Sequence, residues 1–563
     1  MNGMIESLLL LTWLWPLMLA ALLAWPLLRR HALALLPWAL VPAWLLWLAL
    51  QTVALPLTYA WPNVLLGLSL RADDLTPIWL GLSVLVWTAA ALHSRWVNDH
   101  QAWRFGLFFL LSLCGSLILV LAADAVSFYL GFSLMSLAAW GLVMHEATAE
   151  AKRAARWYVQ LAIIGELLLF IGIVARSAQL GTTDLTEWTL LASADWVWWL
   201  LWLGLAIKVG VPVLHVWLPL AHPAAPVAAS AVLSGVMIKA GIIGWLVLLP
   251  PNPMVFGGAD WMLWLGVFTM LFGGVIGLMQ TQPKAILAYS SISQMGWLIW
   301  AVGLVWQSQY SLVLIGWLAW FALHHALVKG ALFLGVGWVQ RTPIHSRLHR
   351  WIWLGLIVLA LMMAGLPLTS GAWVKYGLKT EAALLTHTVP EWLLLAGAVM
   401  TGLLMIHFVR RLARIEVKPQ PLVKSALVSW WLLIVIGLVL PWWQGAQSPT
   451  WPQAMSDLQP FLLALVIALA WRIRLQRSVT CPQGDMVVWY EAGGRWLMRQ
   501  VKRHQAWWLH QQQHLKWAQL KWHQVLRRVS QPIVEQEQRL KRWPNFVSAF
   551  VALILLSVVL LVL

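Results

Sequence analysis

The chain has 563 residues, of which 61% are hydrophobic and only 10% charged, and its mean hydropathy is +0.77. That composition excludes a soluble globular protein and makes lipid the solvent for most of the chain. The net charge of +17 does not mark a nucleic-acid binder, because the basic residues fall between apolar runs and in a C-terminal segment rather than in one patch.

Apolar segments long enough to cross about 30 Å of hydrocarbon are expected, in chain order, near 5–28, 32–55, 76–94, 105–121, 125–144 and 157–175. Others follow near 195–220, 226–250, 261–280, 284–305, 312–338, 351–385, 391–409, 424–443, 456–471 and 545–563. These make about sixteen transmembrane helices of an all-α polytopic membrane protein. Backbone groups in lipid must bond within their own segment, and no ten-residue alternation suggests a barrel. The opening run, "MNGMIESLLLLTWLWPLMLAALLAWPLLRR", lacks a basic leader and is too long for a signal peptide, so it is expected to be a retained first span.

Arg29, Arg30, Arg95, Arg104, Lys152, Arg153, Arg156, Lys284, Arg341, Arg347, Arg350, Arg410, Arg411, Arg414, Lys418 and Lys424 all follow odd-numbered spans, whereas Arg71, Arg176 and Lys379 follow even ones. The positive-inside bias therefore puts both termini on the non-cytoplasmic side of a bacterial-type plasma (inner) membrane. Arg71 and Asp73, in "LRADDLTPIWL", read as an interfacial ion pair.

Residues 485–542 are polar and basic, with a narrow apolar stripe at Leu497, Val501, Trp508, Leu515, Trp522 and Leu526. The spacing predicts an amphipathic helix from Arg495 to Ser530 on the cytoplasmic side, starting at Gly493 and Gly494 and ending or kinking at Pro532. It either rests on anionic lipid or braces neighbouring membrane subunits. A last span would follow it.

A charged residue at mid-span costs about 2.5 to 3.5 kcal/mol, so it persists where it pairs or serves. Glu166, Lys208, Lys239, His324, His325, Lys329 and Lys375 all lie within apolar runs. Buried lysines and histidines in series can take up and release protons. The plainer alternatives are a snorkelling lysine or a static buried pair, and they weigh most for Lys329 and Lys375, which are nearer helix breaks.

Two spans look broken. "KVGVPVLHVWLP" places Pro212 just beyond Lys208, and "AGLPLTSGAWVKYG" sets Gly365, Pro367 and Gly371 ahead of Lys375. Broken helices beside ionisable residues in two separate regions are the pattern of an internally duplicated transporter, although no repeated sequence is evident by eye.

The stretches "WLPLAHPAAPVAASAVLSGVMIKAGIIGWL", "QTQPKAILAYSSISQMGWLIWAVG" and "HHALVKGALFLGVGWV" resemble the core signatures of the antiporter-like proton-channel subunits. That family is shared by respiratory complex I, Mrp cation/proton antiporters, and membrane-bound hydrogenase and formate hydrogenlyase complexes. The first stretch is closest to the hydrogenase-type members, and the resemblance covers roughly residues 70–410. It implies two inverted five-helix repeats with broken helices and a central Lys, His and Glu axis. Lys208 and Lys375 would sit on the two broken helices, with Lys239, His325 and Lys329 between them.

The organisation expected is N-terminal helices over 1–100, the antiporter-like core over 101–410 and further helices over 411–475. The amphipathic lateral helix over 476–544 and a terminal anchor over 545–563 would complete it. In one position the chain departs from the family, which usually carries a fifth-helix glutamate in a pattern like "FELMSL". Here "GFSLMSLAAW" has Ser133 in that place, and Glu166, one helix later, is the candidate replacement partner for Lys208.

The leading expectation is a proton-translocating membrane subunit of a multi-subunit complex, redox-driven as in complex I or the hydrogenases. Alternatives are an Mrp-type cation/proton antiporter subunit, a membrane partner of a zinc protein in inorganic-carbon accumulation, and a structural subunit that no longer conducts. Other membrane subunits and the lipid bilayer are the expected partners, with a soluble redox or zinc protein as a further one. Cys114 and Cys481 offer no metal spacing, and no quinone, flavin or iron-sulfur motif is present. The chain is therefore expected to hold no cofactor or metal and not to be an enzyme by itself.

Overall fold

The computed structural model describes residues 2–501 except 62, 65–66, 98–100, 191–193, 250–258, 386–388, 444–450, 475–480, 483, 489, 494 and 497. The expected anchor at 545–563 and most of the expected lateral helix lie outside the described residues. Two compact units partition the chain, one of residues 1–20 and 30–483, the other of residues 21–29 and 484–563.

The larger unit is almost entirely helical. It opens with α1 (Asn2–Leu22), α2 (Ala32–Leu35), α3 (Val41–Ala49), α4 (Thr76–His93), α5 (Ala102–Leu121), α6 (Ala125–Met144) and α7 (Ala149–Leu180). Next come α8 (Leu185–Leu190), α9 (Asp195–Val209), α10 (Trp217–Ala224), α11 (Val227–Val232), α12 (Lys239–Leu248), α13 (Asp260–Leu278), α14 (Pro283–Gln307) and α15 (Leu312–Arg341). The series closes with α16 (Arg347–Ala364), α17 (Ser370–Ala382), α18 (Glu391–Leu412), α19 (Lys424–Trp443) and α20 (Trp451–Arg474). Among the described residues twelve helices are long and apolar enough to cross a membrane, and Arg29–Leu35 with Pro37–Ala49, bent by 46°, would make a thirteenth. The segment expected to span at 195–220 is two shorter helices, and α20 contains only a shorter apolar stretch, Met455–Ala470.

At the centre stands α14, buried at every position from Ala285 to Trp306, as an apolar helix without a polar face must be. Glycines set the closest crossings around it. A side chain at Gly266 or Gly296 would collide with the facing backbone across the α13–α14 contact, and Gly115 and Gly131 show the same reciprocal approach between α5 and α6.

One element departs from the all-α expectation. Leu57–Trp61 (β1) and Leu68–Ala72 (β2) pair antiparallel, with Leu57 opposite Ala72 and Gly67 at φ +99° in the connection. Leu68, Leu70 and Ala72 are buried, a period of two too short to stand out among longer apolar runs. Asp124 ties this hairpin to α6. Its carboxylate accepts from the amide and hydroxyl of Ser69 at 2.8 Å each, and caps α6 by accepting from the amide of Ser127 at 2.8 Å. The expected Arg71–Asp73 ion pair is present at 3.3 Å.

In the smaller unit, Arg29 donates to the carbonyls of Leu23 and Ala24 at 3.2 and 3.0 Å. The described residues between 487 and 501 are helical, Gly493 included, so helical structure begins upstream of the start expected at Gly493 and Gly494. A glycine in a helix costs only about 1 kcal/mol and does not stop one.

Asp124→Ala removes a helix cap and strands Ser69, and should cost about 2 kcal/mol. The unfolding midpoint in detergent should fall clearly, and Asp124→Asn should recover much of the loss.

Candidate functional site

The two helix interruptions share one local geometry. Helix α9 ends at Gly210 (φ +79°), whose amide donates to Ala206 at 3.0 Å while that of Val211 donates to the same carbonyl at 3.3 Å. Helix α16 ends in the same way at Gly365 (φ +83°), with the amides of Gly365 and Leu366 both donating to Leu361, at 3.1 and 3.2 Å. Each glycine is followed by proline two residues on, Pro212 and Pro367, and then by a residue at positive φ, Val213 at 77° and Leu368 at 66°. Glycine takes the left-handed turn without strain, and proline keeps the helix from resuming at once.

Lys208 lies in the last turn of α9 and is buried. Its Nζ donates to the Tyr158 hydroxyl at 3.2 Å, and that hydroxyl donates to the Ser136 carbonyl at 2.9 Å. The rings of Tyr158, Trp217 and Phe132 surround the ammonium at 5.5, 5.6 and 6.0 Å. Glu166 of α7 is its acidic neighbour, and Ser133 is the polar side chain next to Glu166. Among the described residues no ion pair joins Lys208 directly to Glu166. A small cavity opens beside Lys208, lined in part by Ser136, Tyr158, Gly165 and Trp217.

Lys239 begins α12, immediately beyond a π-helical segment, Leu233–Met237. Such a wide turn inside a helix is a recurrent feature of functional sites. The lysine folds back on it, donating to the Ser234 carbonyl at 2.7 Å. The Ser234 hydroxyl meets that of Ser291 on α14 at 2.7 Å, and Ser291 donates to the Leu287 carbonyl at 3.0 Å. Lys329 of α15 donates to the same Leu287 carbonyl at 2.9 Å and also to the Ser290 hydroxyl. Lys239 and Lys329 are thus linked to α14 by neighbouring hydrogen bonds that share Ser234, through its carbonyl and its hydroxyl, and the Leu287 carbonyl, which accepts from both Ser291 and Lys329.

The histidines lie one helical turn before Lys329. Nδ1 of His324 is 2.8 Å from the Ser370 hydroxyl, at the start of α17. Both ring nitrogens of the fully buried His325 lack a hydrogen-bond partner. Lys375 and Lys239 are the cationic neighbours of His324, and Lys239 and Lys329 are those of His325. Lys375 reaches back across its break to the carbonyls of Met363 and Ala364, at 3.4 and 3.5 Å, with its ammonium 5.7 Å from the Trp297 ring.

The structure therefore gathers Lys239, His324, His325, Lys329 and Lys375 around α14, and sets Glu166 and Lys208 together as a separate group. Tyr158, Ser234, Ser290, Ser291 and Ser370 were not singled out from the sequence. A hydroxyl in an apolar helix ordinarily bonds its own preceding turn, so nothing in its spacing reveals a cross-helix contact.

Helices interrupted at mid-length, with buried lysines at the interruptions and between them, define an antiporter-like integral membrane subunit. The chain belongs to the family described as NADH:quinone oxidoreductase/Mrp antiporter, TM, whose model matches residues 122–404, a stretch that holds every lysine and histidine just described. It is 31% identical over 318 residues to Hydrogenase-4 component B of Escherichia coli (strain K12), covering 53% of this chain and 46% of that one. It is 30% identical over 298 residues to NADH-ubiquinone oxidoreductase chain 4 of Yarrowia lipolytica (strain CLIB 122 / E 150), covering 50% and 58%. The chain thus spans about half the length of the curated relatives it matches. The fold is like that of a chain in the structure of the Mrp complex from Dietzia sp. DQ12-45-1b, with a TM-score of 0.73 at 20% identity, over 95% of this chain and 63% of that one.

Lys208→Met leaves the buried Glu166 without its cationic neighbour, so the unfolding midpoint in detergent should fall, and adding Glu166→Gln should recover much of the loss. Tyr158→Phe, which leaves the ammonium without its hydroxyl, should lower stability by about 1 kcal/mol in the same measurement.

Proposed function

We propose that this chain is a proton-translocating membrane subunit of a multi-subunit, redox-driven complex. Protons reach Lys208 and Glu166 at the first break, pass Lys239, His324, His325 and Lys329, and leave around Lys375 at the second. The observation that carries this reading is the gathering of Lys239, Lys329, His324, His325 and Lys375, all buried, around α14, with Lys239 and Lys329 held against it by Ser234, Ser290, Ser291 and the Leu287 carbonyl. Buried lysines held by neutral acceptors contribute little to stability, whereas a line of them provides stations for a mobile proton. The relatives' names, a hydrogenase component and an oxidoreductase chain, favour a redox-driven assembly over an autonomous transporter.

The helices from α5 to α12 and from α13 to α18 are read as two copies of one unit of five spans, the fourth broken. The shared geometry at Gly210 and Gly365 supports this, as do the reciprocal glycine crossings of α5–α6 and α13–α14. An odd number of spans makes the second copy inverted. With the basic connections on the cytoplasmic side of a bacterial inner membrane, the N-terminus faces the other side.

Lys239→Ala and Lys329→Ala should each reduce proton flux in membrane vesicles by more than about tenfold; unchanged flux would leave a subunit that keeps the fold without conducting. A sodium requirement would instead move the reading to a cation/proton antiporter subunit. Glu166 is read as the acid that replaces the missing partner of Lys208, facing it beside Ser133. Glu166→Ala should then abolish flux and Ser133→Glu in that background restore it, and a double variant as inactive as the single one sinks the assignment.

A further inference from the structure

A cavity of about 670 Å³ lies apart from the lysine series, lined among others by His93, Glu146, Gln282, Lys284, Gln340 and Arg341. It is enclosed by helix ends: the C-terminal ends of α4, α6 and α15 and the N-terminus of α14. Arg95 follows the end of α4, and Lys152 and Arg347 lie in the first turns of α7 and α16, just beyond the ends of α6 and α15, where anionic lipid headgroups gather under the positive-inside bias. Its mouth carries the exposed Glu146.

We propose that this cavity binds a phosphate group, as a phosphomonoester or phosphodiester anion. Lys284 and Arg341 bring two cations against the single carboxylate of Glu146, leaving net positive charge for one anion. Both cations keep donors to spare. Lys284 spends one on the Ala225 carbonyl at 2.6 Å, and Arg341 uses Nε on Gln420 at 2.8 Å and Nη1 on Gly337 at 3.1 Å, leaving Nη2 for a ligand. The N-terminus of α14 opens on the cavity through Gln282, Pro283 and Lys284 with no side chain capping it. An independent observation comes from His93. Only 2% exposed, it is held edge-on between Trp96 and Trp338 at 4.5 and 5.4 Å, and both of its ring nitrogens lack a partner among the described residues. A buried imidazole without a partner is costly, and an anion in the cavity gives it an acceptor.

Aromatic packing fixes the site in shape. Arg341 lies 5.1 Å over Trp96, which stacks edge-on against Trp338 at 4.5 Å and donates its indole N–H to the Pro421 carbonyl at 3.1 Å. The cation and the walls are thus held in place before any ligand arrives.

The test uses the full chain purified in detergent and stripped of lipid, with its unfolding midpoint followed at constant ionic strength. Inorganic phosphate, short-chain phosphatidylglycerol, short-chain phosphatidylcholine and chloride are the probes. A rise with phosphate and with phosphatidylglycerol identifies a site for the phosphate group itself, and a rise with phosphatidylglycerol alone identifies a lipid headgroup site. The apparent affinity should weaken by at least about tenfold in Lys284→Gln and in Arg341→Gln, where a charge-assisted contact is lost. Gln340→Glu, which keeps both cations and adds a second carboxylate to the lining, should abolish the shift even if the charge variants fold poorly. No shift with either anion, an equal shift with phosphatidylcholine, or a shift that survives Gln340→Glu overturns the proposal.

Discussion

An ammonium group has three donors and no acceptor, and in an apolar interior each donor has to be met by the protein. In this chain the acceptors are mainly main-chain carbonyls at helix irregularities. The π-helical segment brings Ser234 under Lys239, the end of α16 presents Met363 and Ala364 to Lys375, and Leu287 serves Lys329. A carbonyl is neutral, so a lysine that gives up its proton leaves no unpaired carboxylate behind. A static salt bridge is costly to break from either side, whereas this arrangement can exist with and without the proton. Only the Lys208 group, with Glu166 nearby, departs from that plan.

The two breaks serve the same electrostatic purpose from opposite sides. Lys208 lies in the last turn of the helix that precedes its break, whereas Lys375 belongs to the helix that follows its break and reaches back to the preceding one. The Lys375 ammonium therefore meets the C-terminal, negative end of α16, and Lys208 lies in the last turn of α9, where the same dipole favours a cation. The turn that creates each end is the same run of glycine, aliphatic residue, proline and aliphatic residue, Gly210 to Val213 and Gly365 to Leu368. Gly371 completes the second, since a side chain there would strike the Met362 carbonyl and displace α17 with Ser370 and its bond to His324.

That short motif occurs twice in the sequence yet is easily passed over as repetition, because in lipid-facing runs valine and leucine are too common to attract notice. The apolar runs and intramembrane charges were legible, since lipid leaves them little latitude. Of the sixteen expected spans, the described residues contain twelve helices of spanning length, or thirteen with the bent pair, and 195–220 forms two helices because the backbone turn at Gly210 overrides composition. The β1–β2 hairpin was hidden because five residues of alternation carry little signal, and its anchor, Asp124, acts through a contact with the distant Ser69. The serines between Lys239 and Lys329 were hidden for the same reason. Each was visible as a hydroxyl, but the pairing of Ser234 with Ser291 exists only once α14 is placed against the π-helical segment.

Some of the 45 tryptophans answer the same constraint on donors and acceptors. Its indole is a large apolar body with one N–H and no acceptor, suited to closing a carbonyl that a helix leaves open in lipid. Trp217 does so across the first break, donating to Ile207 at 2.7 Å, whereas Trp47 adds a second donor, at 2.8 Å, to the Pro77 carbonyl in the first turn of α4. Trp430 donates to Ala331 at 2.8 Å, joining α19 to α15 near Lys329. A serine in these places would satisfy the carbonyl but leave a void, and a leucine would fill the void but leave the carbonyl alone. At the first break, where the end of α9 leaves the Ile207 carbonyl open beside Lys208, the indole of Trp217 meets both needs at once.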